Sequence, residues 1–422
     1  MRIFPRFDIT SIGANAVSQF IGRLITSATG FVVALIVARQ LGVFDFGEFT
    51  KVTTYIAFFY LFADFGLNAV FLKKKGAWPE FLGMRIVIAF SLMFISLGIL
   101  ALLPNSGVSG YTNIVRIGII LFAPTVLFQA IITTTNAQFQ KQHRYDVATR
   151  ALLVGSIVSL LLLFFYSMTP LSGLGFLGAA VAVSIGSAVT AVTALILTRR
   201  FEPLAVSFSV PTSLSYFIAV FPIGLTLIFN VIYFRFDSFV LTLTRSTVEV
   251  GLYGFAYKFF EFIVALPTFY MNAVYPRMLK IQYSAASRLT NIQINELSKM
   301  TKKSAFFLLA SSLILTAIVF LLSPLLTLVG PKFEGSVAAL RILSLGFPFF
   351  FLSNLTMWTL IAVDKQRHLV WIYGVSMMSN IACNLWLTPV YGYIASAWIT
   401  VASEGVVLAL GGMMLVKYIR GL

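Results

Sequence analysis

Hydrophobic residues run through this chain in long unbroken blocks, separated by short polar turns that often carry Gly or Pro. A helix of about 20 apolar residues crosses the hydrocarbon core of a bilayer. Twelve blocks reach that length, near 12–38, 48–72, 84–104, 113–139, 148–168, 175–198, 212–236, 248–276, 301–323, 337–362, 369–388 and 392–416. The pattern predicts an all-α integral membrane protein with twelve transmembrane helices. Pro124, Pro222, Pro267 and Pro348 fall inside blocks and predict kinks, which neighbours can tolerate by satisfying the freed carbonyls. The first block is too long for the apolar stretch of a signal peptide and no small-residue cleavage site follows it, so a retained helix is expected. No turn is long enough for a soluble domain.

Basic residues orient the predicted helices. Turns on one side hold 21 Lys and Arg, including Arg2, Arg6, Lys73, Lys74, Lys75, Arg85, Arg199, Arg200, Lys302, Lys303, Lys417 and Arg420. Turns on the other side hold three, Arg39, Arg245 and Lys332, and the remaining six of the 30 lie inside blocks. Both termini are therefore expected in the cytoplasm. Composition agrees with a membrane chain: 59% hydrophobic, 10% charged, mean hydropathy +0.94, where soluble domains run at about a quarter charged. The net charge of +16 lies along one membrane face and does not point to nucleic acid. One cysteine, Cys383, and two histidines exclude a disulfide framework and leave little material for a metal site or a His-dependent triad.

The halves echo each other. Asp45-Phe46-Gly47-Glu48-Phe49 is answered by Glu249-Val250-Gly251-Leu252-Tyr253, and Lys141-Gln142-His143-Arg144 by Lys365-Gln366-Arg367-His368. Arg116 with Pro124 is answered by Arg341 with Pro348, and Thr169-Pro170 by Thr388-Pro389. Matches in the same order at offsets near half the chain length indicate an internal duplication. The expected organisation is an N-terminal six-helix lobe at 1–200, a cytoplasmic linker at 201–211, and a C-terminal six-helix lobe at 212–422.

The run Ala38-Arg39-x-Leu41-Gly42-x-x-x-Phe46-Gly47-x-Phe49, followed by Ala63-Asp64-Phe65-Gly66-Leu67, resembles the signature of Wzx-type O-antigen and capsule polysaccharide flippases. These belong to the MOP exporter superfamily, with the MATE transporters and lipid II flippases. Phe234-Arg235-Phe236-Asp237 and Val250-Gly251-Leu252-Tyr253 resemble the family's second-half pattern. The resemblance implies a MOP/MATE-like fold in a bacterial cytoplasmic (inner) membrane. It also implies a flippase that moves undecaprenyl-diphosphate-linked oligosaccharide between leaflets by alternating access. A polysaccharide polymerase and a chain-length regulator are the implied protein partners, with membrane lipids around a monomer. No cofactor is expected, and a coupling ion, H+ or Na+, is left open.

Candidate chemistry lies in charges that the membrane should exclude. Arg23, Lys51, Arg116, Arg235, Lys258 and Arg341 fall in or just within blocks, as do Asp64, Asp237, Glu261 and Glu404. Each charge near mid-bilayer costs about 2.5–3.5 kcal/mol on insertion scales, so they require partners or a water-filled cavity. Asn15, Gln19, Arg23 and Ser27 recur every four residues on one face of the first helix; Thr226, Asn230, Tyr233 and Asp237 do so on the seventh. Those faces suit either a polar lumen or hydrogen bonds within a bundle. The lumen set is Asn15, Gln19, Arg23, Ser27, Lys51, Asn230, Arg235 and Lys258.

Lys258 and Glu261 are spaced for an intrahelical ion pair, and Asp237 could pair with Arg235 or Arg245. Asp64, Asp237, Glu261 and Glu404 are the coupling or ion-pair candidates, Asp64 having Asn68 one turn on. Arg116 and Arg341 either snorkel to the interface or form an outer gate. Six cations against four acids favour an anionic headgroup such as a diphosphate, which Arg grips bidentately. A MATE-like cation-coupled multidrug exporter is the alternative, and it would want the opposite sign. An enzyme such as a membrane glycosyltransferase is not expected, because the large extramembrane loop such enzymes use is missing.

Overall fold

The computed structural model describes residues 9–74, 77–105, 109–169, 174–283 and 291–421. Helix is the dominant element throughout: α1 (Ile9–Asp64), α2 (Leu67–Lys74), α3 (Trp78–Leu102), α4 (Asn113–Phe122), α5 (Thr125–Lys141), α6 (Tyr145–Met168) and α7 (Phe176–Thr198) come first. They are followed by α8 (Val210–Thr244), α9 (Thr247–Tyr283), α10 (Asn291–Leu322), α11 (Glu334–Leu345), α12 (Phe347–Ala362) and α13 (Arg367–Gly421). The described residues hold no strand, only one isolated antiparallel bridge between Asn105 and Gly110.

Nine of these helices are long and apolar enough to cross a membrane, or ten if the bent pair formed by 331–345 and α12 is one span. Two are too long for one crossing. At 1.5 Å per residue, the 56 residues of α1 extend about 84 Å against about 30 Å of hydrocarbon. Each long helix folds at one glycine with non-helical backbone, Gly42 (φ 78°) in α1 and Gly392 (φ 68°) in α13, conformations that L side chains rarely adopt.

The chain forms two compact units. One is Met1–Leu41 with Glu48–Ile228; the other is Gly42–Gly47 with Phe229–Leu422. The division therefore falls inside α8, beyond the 201–211 linker. The physical reason is that the first half of α8 packs with the early helices. Tyr216 and Val220 are buried with Leu67, Phe71 and Phe81, and Gly224 sits against the Phe65 ring. The linker itself lies on the start of α3, where Ser207 donates its N–H to Pro79 at 3.0 Å.

The duplication is visible in backbone breaks. Helices α4 and α5 are interrupted at Ala123–Pro124, and α11 and α12 at Gly346, each break beside one of the paired prolines. Two left-handed residues, His143 (φ 54°) and Asp364 (φ 61°), end α5 and α12. The next N–H bonds back five residues in both cases, Arg144 to Phe139 and Lys365 to Leu360, each at 2.8 Å. This pairs Arg144 with Lys365, so the Lys-Gln echo of the sequence is displaced by three residues in the structure.

In the later unit the two Asp/Glu-x-Gly motifs meet. A Cβ on Gly47 would lie 2.1 Å from the Thr247 carbonyl and 3.1 Å from the Gly251 nitrogen; one on Gly251 would lie 2.2 Å from the Val43 carbonyl. Backbones in this contact leave no room for a side chain, the small-residue crossing that membrane helices use in place of hydrophobic driving force. Phe46 packs edge-on to Phe255 beside it, with centroids 5.5 Å apart. We expect Gly47→Ala or Gly251→Ala to lower the thermal unfolding midpoint in detergent, by an overpacking cost of about 1–3 kcal/mol. Gly98→Ala, where nothing lies within 4 Å, should leave it unchanged or slightly raised. Equal midpoints for all three would remove the contact's structural role.

Candidate functional site

Within the early unit, the break after Asp64 carries the charged cluster. Phe65 (φ 40°) and Gly66 (φ 74°) interrupt the helix. Arg85 of α3 reaches that break, donating to the Ala63 carbonyl at 2.6 Å, to Asp64 Oδ1 at 3.2 Å and to Asn68 Oδ1. Arg85 is 1% exposed while Asp64 is 37% exposed, so the carboxylate is the accessible member of the pair. Sequence reasoning counted Arg85 among the cytoplasmic turns; its position in the first turns of an apolar block was the available signal.

Two other cations of this unit serve loops. Lys51, expected in the lumen, is fully buried and donates to the Gly110 carbonyl at 2.9 Å, holding the turn between α3 and α4. Arg116 donates to the carbonyls of Leu103 at 2.6 Å and Tyr111 at 3.0 Å. Arg341 does the equivalent in the later unit, donating to Ser323 Oγ at 3.0 Å with its guanidinium 4.9 Å from the Phe320 ring centre. Both gate candidates thus anchor their helix to the loop before it.

The first-helix stripe is only partly described. Ser27 is half-buried, and Thr26 bonds back to the Gly22 carbonyl at 3.0 Å. The side chains of Asn15, Gln19, Arg23, Thr226 and Asn230 lie outside the described residues.

The later unit brings together most of the remaining candidates. Arg235 of α8 pairs with Glu261 of α9, and Lys258 reaches the other oxygen of Glu261 at 3.2 Å. The Arg235 guanidinium also lies 5.7 Å from the Tyr257 ring centre. Two cations share one carboxylate, and all three side chains are a quarter to a third exposed. The spacing rule for Lys258 and Glu261 holds, and Arg235 joins them because α8 and α9 run side by side.

Asp237 pairs with neither Arg235 nor Arg245. It is 1% exposed and accepts from the Tyr253 hydroxyl, from Thr400 Oγ1 at 3.2 Å and from the Ser238 N–H at 2.6 Å. Arg245 instead bonds Glu249 at 2.9 Å and the Pro389 carbonyl at 3.2 Å. Glu404, one turn beyond Thr400, is 3% exposed and accepts from the Tyr233 hydroxyl at 2.8 Å and from Ser353 Oγ. Asp237 and Glu404 therefore sit one helical turn apart along two packed elements, Tyr233 to Asp237 on α8 and Thr400 to Glu404 on α13, stitched by hydroxyls.

A polar seam extends the pair. Asn380 donates to Ser403 Oγ at 3.1 Å, Asn384 to Asn380 Oδ1 at 3.0 Å, and Thr388 to Asn384 Oδ1 at 2.8 Å. Asn380, Asn384 and Thr388 repeat every four residues in the sequence, a legible stripe that sequence reasoning passed over. Among the described residues, no group of three or more His, Cys, Asp or Glu is placed to hold a metal ion.

The profile of the polysaccharide biosynthesis protein family matches residues 12–282. No curated protein matches the chain in sequence. Solved structures do match in fold. A lipid II flippase MurJ in an inward closed conformation has a TM-score of 0.75 at 16% identity, covering 95% of this chain and 87% of that one. An inward-facing multidrug resistance MATE family transporter of the MOP superfamily has a TM-score of 0.68 at 13% identity, covering 94% and 96%. A MOP superfamily transporter from Pyrococcus furiosus, described as having a binding pocket of reversed polarity, has a TM-score of 0.65 at 13% identity, covering 96% of each chain. At these identities the likeness is one of fold. By its profile over well more than half its length and by a helical fold shared with MurJ and MATE transporters, this multi-pass membrane chain belongs to the polysaccharide biosynthesis protein family.

Proposed function

We propose that the chain is a flippase for a lipid-linked glycan, moving an undecaprenyl-diphosphate-linked oligosaccharide from the cytoplasmic to the outer leaflet of a bacterial inner membrane. The family and the lipid-flippase fold support a lipid-linked substrate. The observation that carries the anionic headgroup is the Arg235–Glu261–Lys258 cluster, where two partly exposed cations share one ion-paired acid, an excess of positive charge within the trio. Such a charge, in surroundings drier than bulk water, grips a diphosphate strongly. Arg23 of the first-helix stripe is the further cation this reading assigns to headgroup binding. No bond is made or broken, so turnover rests on different affinities of inward-open and outward-open states.

In this reading α1 and α13 each count as two passes, divided at Gly42 and Gly392, and the broken pairs α4/α5 and α11/α12 as one pass each. That makes twelve crossings with both termini cytoplasmic, as the Lys and Arg distribution requires. The protein would work as a monomer, passing its product to a polymerase and a chain-length regulator.

Glu404 is the coupling candidate best placed in the fold. Its carboxyl is buried, bonded only to hydroxyls among the described residues, and one turn from Asp237. In this reading Glu404 exchanges a proton when a change of state replaces its hydroxyl donors. The alternative, a MATE-like cation-coupled multidrug exporter, draws on the same buried acids and on the MATE neighbours, but its cationic substrates would meet the surplus positive charge of the α8–α9 cluster.

Complementation of a bacterium lacking its own oligosaccharide flippase tests the proposal. Lys258→Gln and Arg23→Ala should each lower surface polysaccharide about tenfold at unchanged protein abundance, the loss expected when one charge-assisted contact is removed. Lipid-linked glycan should accumulate on the cytoplasmic leaflet, and Arg23→Lys should partly restore export. Normal export by both variants would sink the cationic lumen, and loss of accumulated cationic dyes without glycan export would favour the drug exporter. In proteoliposomes, Glu404→Gln keeps the hydrogen bonds but cannot release a proton. Its transport should therefore no longer respond to an imposed pH gradient; a response equal to that of the unaltered protein would exclude Glu404 as the coupling group.

A further inference from the structure

The turn between α12 and α13 opens a cleft of about 500 Å³ lined by Asp364, Lys365, Gln366, Arg367, His368 and Tyr418. Arg367 and Tyr418 stand at the two ends of one apolar segment folded at Gly392. Each half is long enough to cross hydrocarbon, which in the twelve-pass reading puts the cleft at the edge of the apolar band. Trp371, one turn into the helix from Arg367, is 76% exposed, as befits an aromatic anchor at the interface.

The matching turn of the early unit acts as an internal control. There the left-handed His143 is followed by Arg144, Tyr145 and Asp146, and here the left-handed Asp364 by Lys365, Gln366 and Arg367. Asp146 pairs with both neighbouring arginines, Arg144 at 2.8 Å and Arg150 at 3.1 Å. At the equivalent place the later unit carries Arg367, so acid has become base. Among the described residues, no carboxylate forms an ion pair with Lys365 or Arg367. Lys365 instead rests 4.6 Å from the Tyr418 ring centre, and His368 Nε2 lies 3.3 Å from the Tyr418 hydroxyl. These contacts hold the two cations around the cleft, where they outnumber its one carboxylate, Asp364.

We propose that this cleft binds the phosphate group of an anionic phospholipid at the membrane surface. Lys365 and Arg367 take the phosphate oxygens, and Tyr418 with His368 forms a polar aromatic wall against the headgroup. Trp371 lies alongside, at the depth of the lipid's glycerol. The site is separate from the Arg235–Glu261–Lys258 cluster, and its occupancy does not depend on which substrate that cluster takes.

Equilibrium binding of a fluorescent phosphatidylglycerol to the purified full-length protein in detergent tests it, with unlabelled phosphatidylglycerol, phosphatidylcholine and inorganic phosphate as competitors. Two anion contacts at about fivefold each near a membrane surface predict that Lys365→Gln with Arg367→Gln weakens binding roughly thirtyfold. Arg367→Asp, which places an acid where the early unit carries Asp146, should weaken it as well and guards against a double variant that fails to fold. Arg144→Gln, at a residue ion-paired with Asp146 and outside the cleft, should bind like the unaltered protein. Phosphatidylcholine should not compete. Unchanged binding by folded Arg367→Asp and double variants would overturn the site. Equal competition by phosphatidylcholine would overturn its charge selectivity, and equal molar competition by inorganic phosphate would reassign it to a free anion.

Discussion

Inside a bilayer no water is present to satisfy a backbone carbonyl released by a kink or a loop end, so the protein has to supply the donor itself. This fold answers with cations. Arg85 takes the Ala63 carbonyl at the Phe65–Gly66 break, and Lys51 takes Gly110. Arg116 takes Leu103 and Tyr111, and Arg245 takes Pro389. The cost of placing these charges near hydrocarbon and the cost of leaving those carbonyls bare offset each other. Kinked and folded-over helices become possible because long basic side chains reach the places where the ladder is interrupted.

The charges that this task does not consume stand out by contrast. Arg235 and Lys258 divide one carboxylate between them and stay partly exposed. Asp237 and Glu404 are buried and accept from hydroxyl partners. A cation shared out too thinly and an acid without a cation are costly arrangements for stability alone. They are concentrated in one unit, on α8, α9 and α13, apart from the cations that hold carbonyls.

Duplication explains why both units solve the same problems at the same places. Arg116 and Arg341 anchor a helix to the loop before it, prolines break the helix that follows, and a left-handed residue ends it. Against that repeated frame a single departure is informative, because the backbone requirement is unchanged and only the chemistry differs. Asp146 and Arg367 are such a departure: the same position on the same kind of turn carries opposite charge.

Block length and basic-residue bias in the sequence already determined a multi-pass helical membrane protein with an internal repeat, because the thickness of hydrocarbon and the price of charge act on local stretches of chain. The same local logic reached the Lys258–Glu261 pair, whose spacing alone puts both side chains on one face. Partners across helices were a different matter. Asp64 gave no hint that Arg85 would meet it, Lys51 none that it would serve a loop 59 residues away, and Glu404 none that its partners would be Tyr233 and Ser353. The division inside α8 and the meeting of Gly47 with Gly251 likewise depend on which surfaces pack, and packing is settled by shape over the whole unit. Tertiary structure alone decided which charges hold carbonyls and which remain for chemistry, because a charge in a membrane is defined by what lies within hydrogen-bond reach.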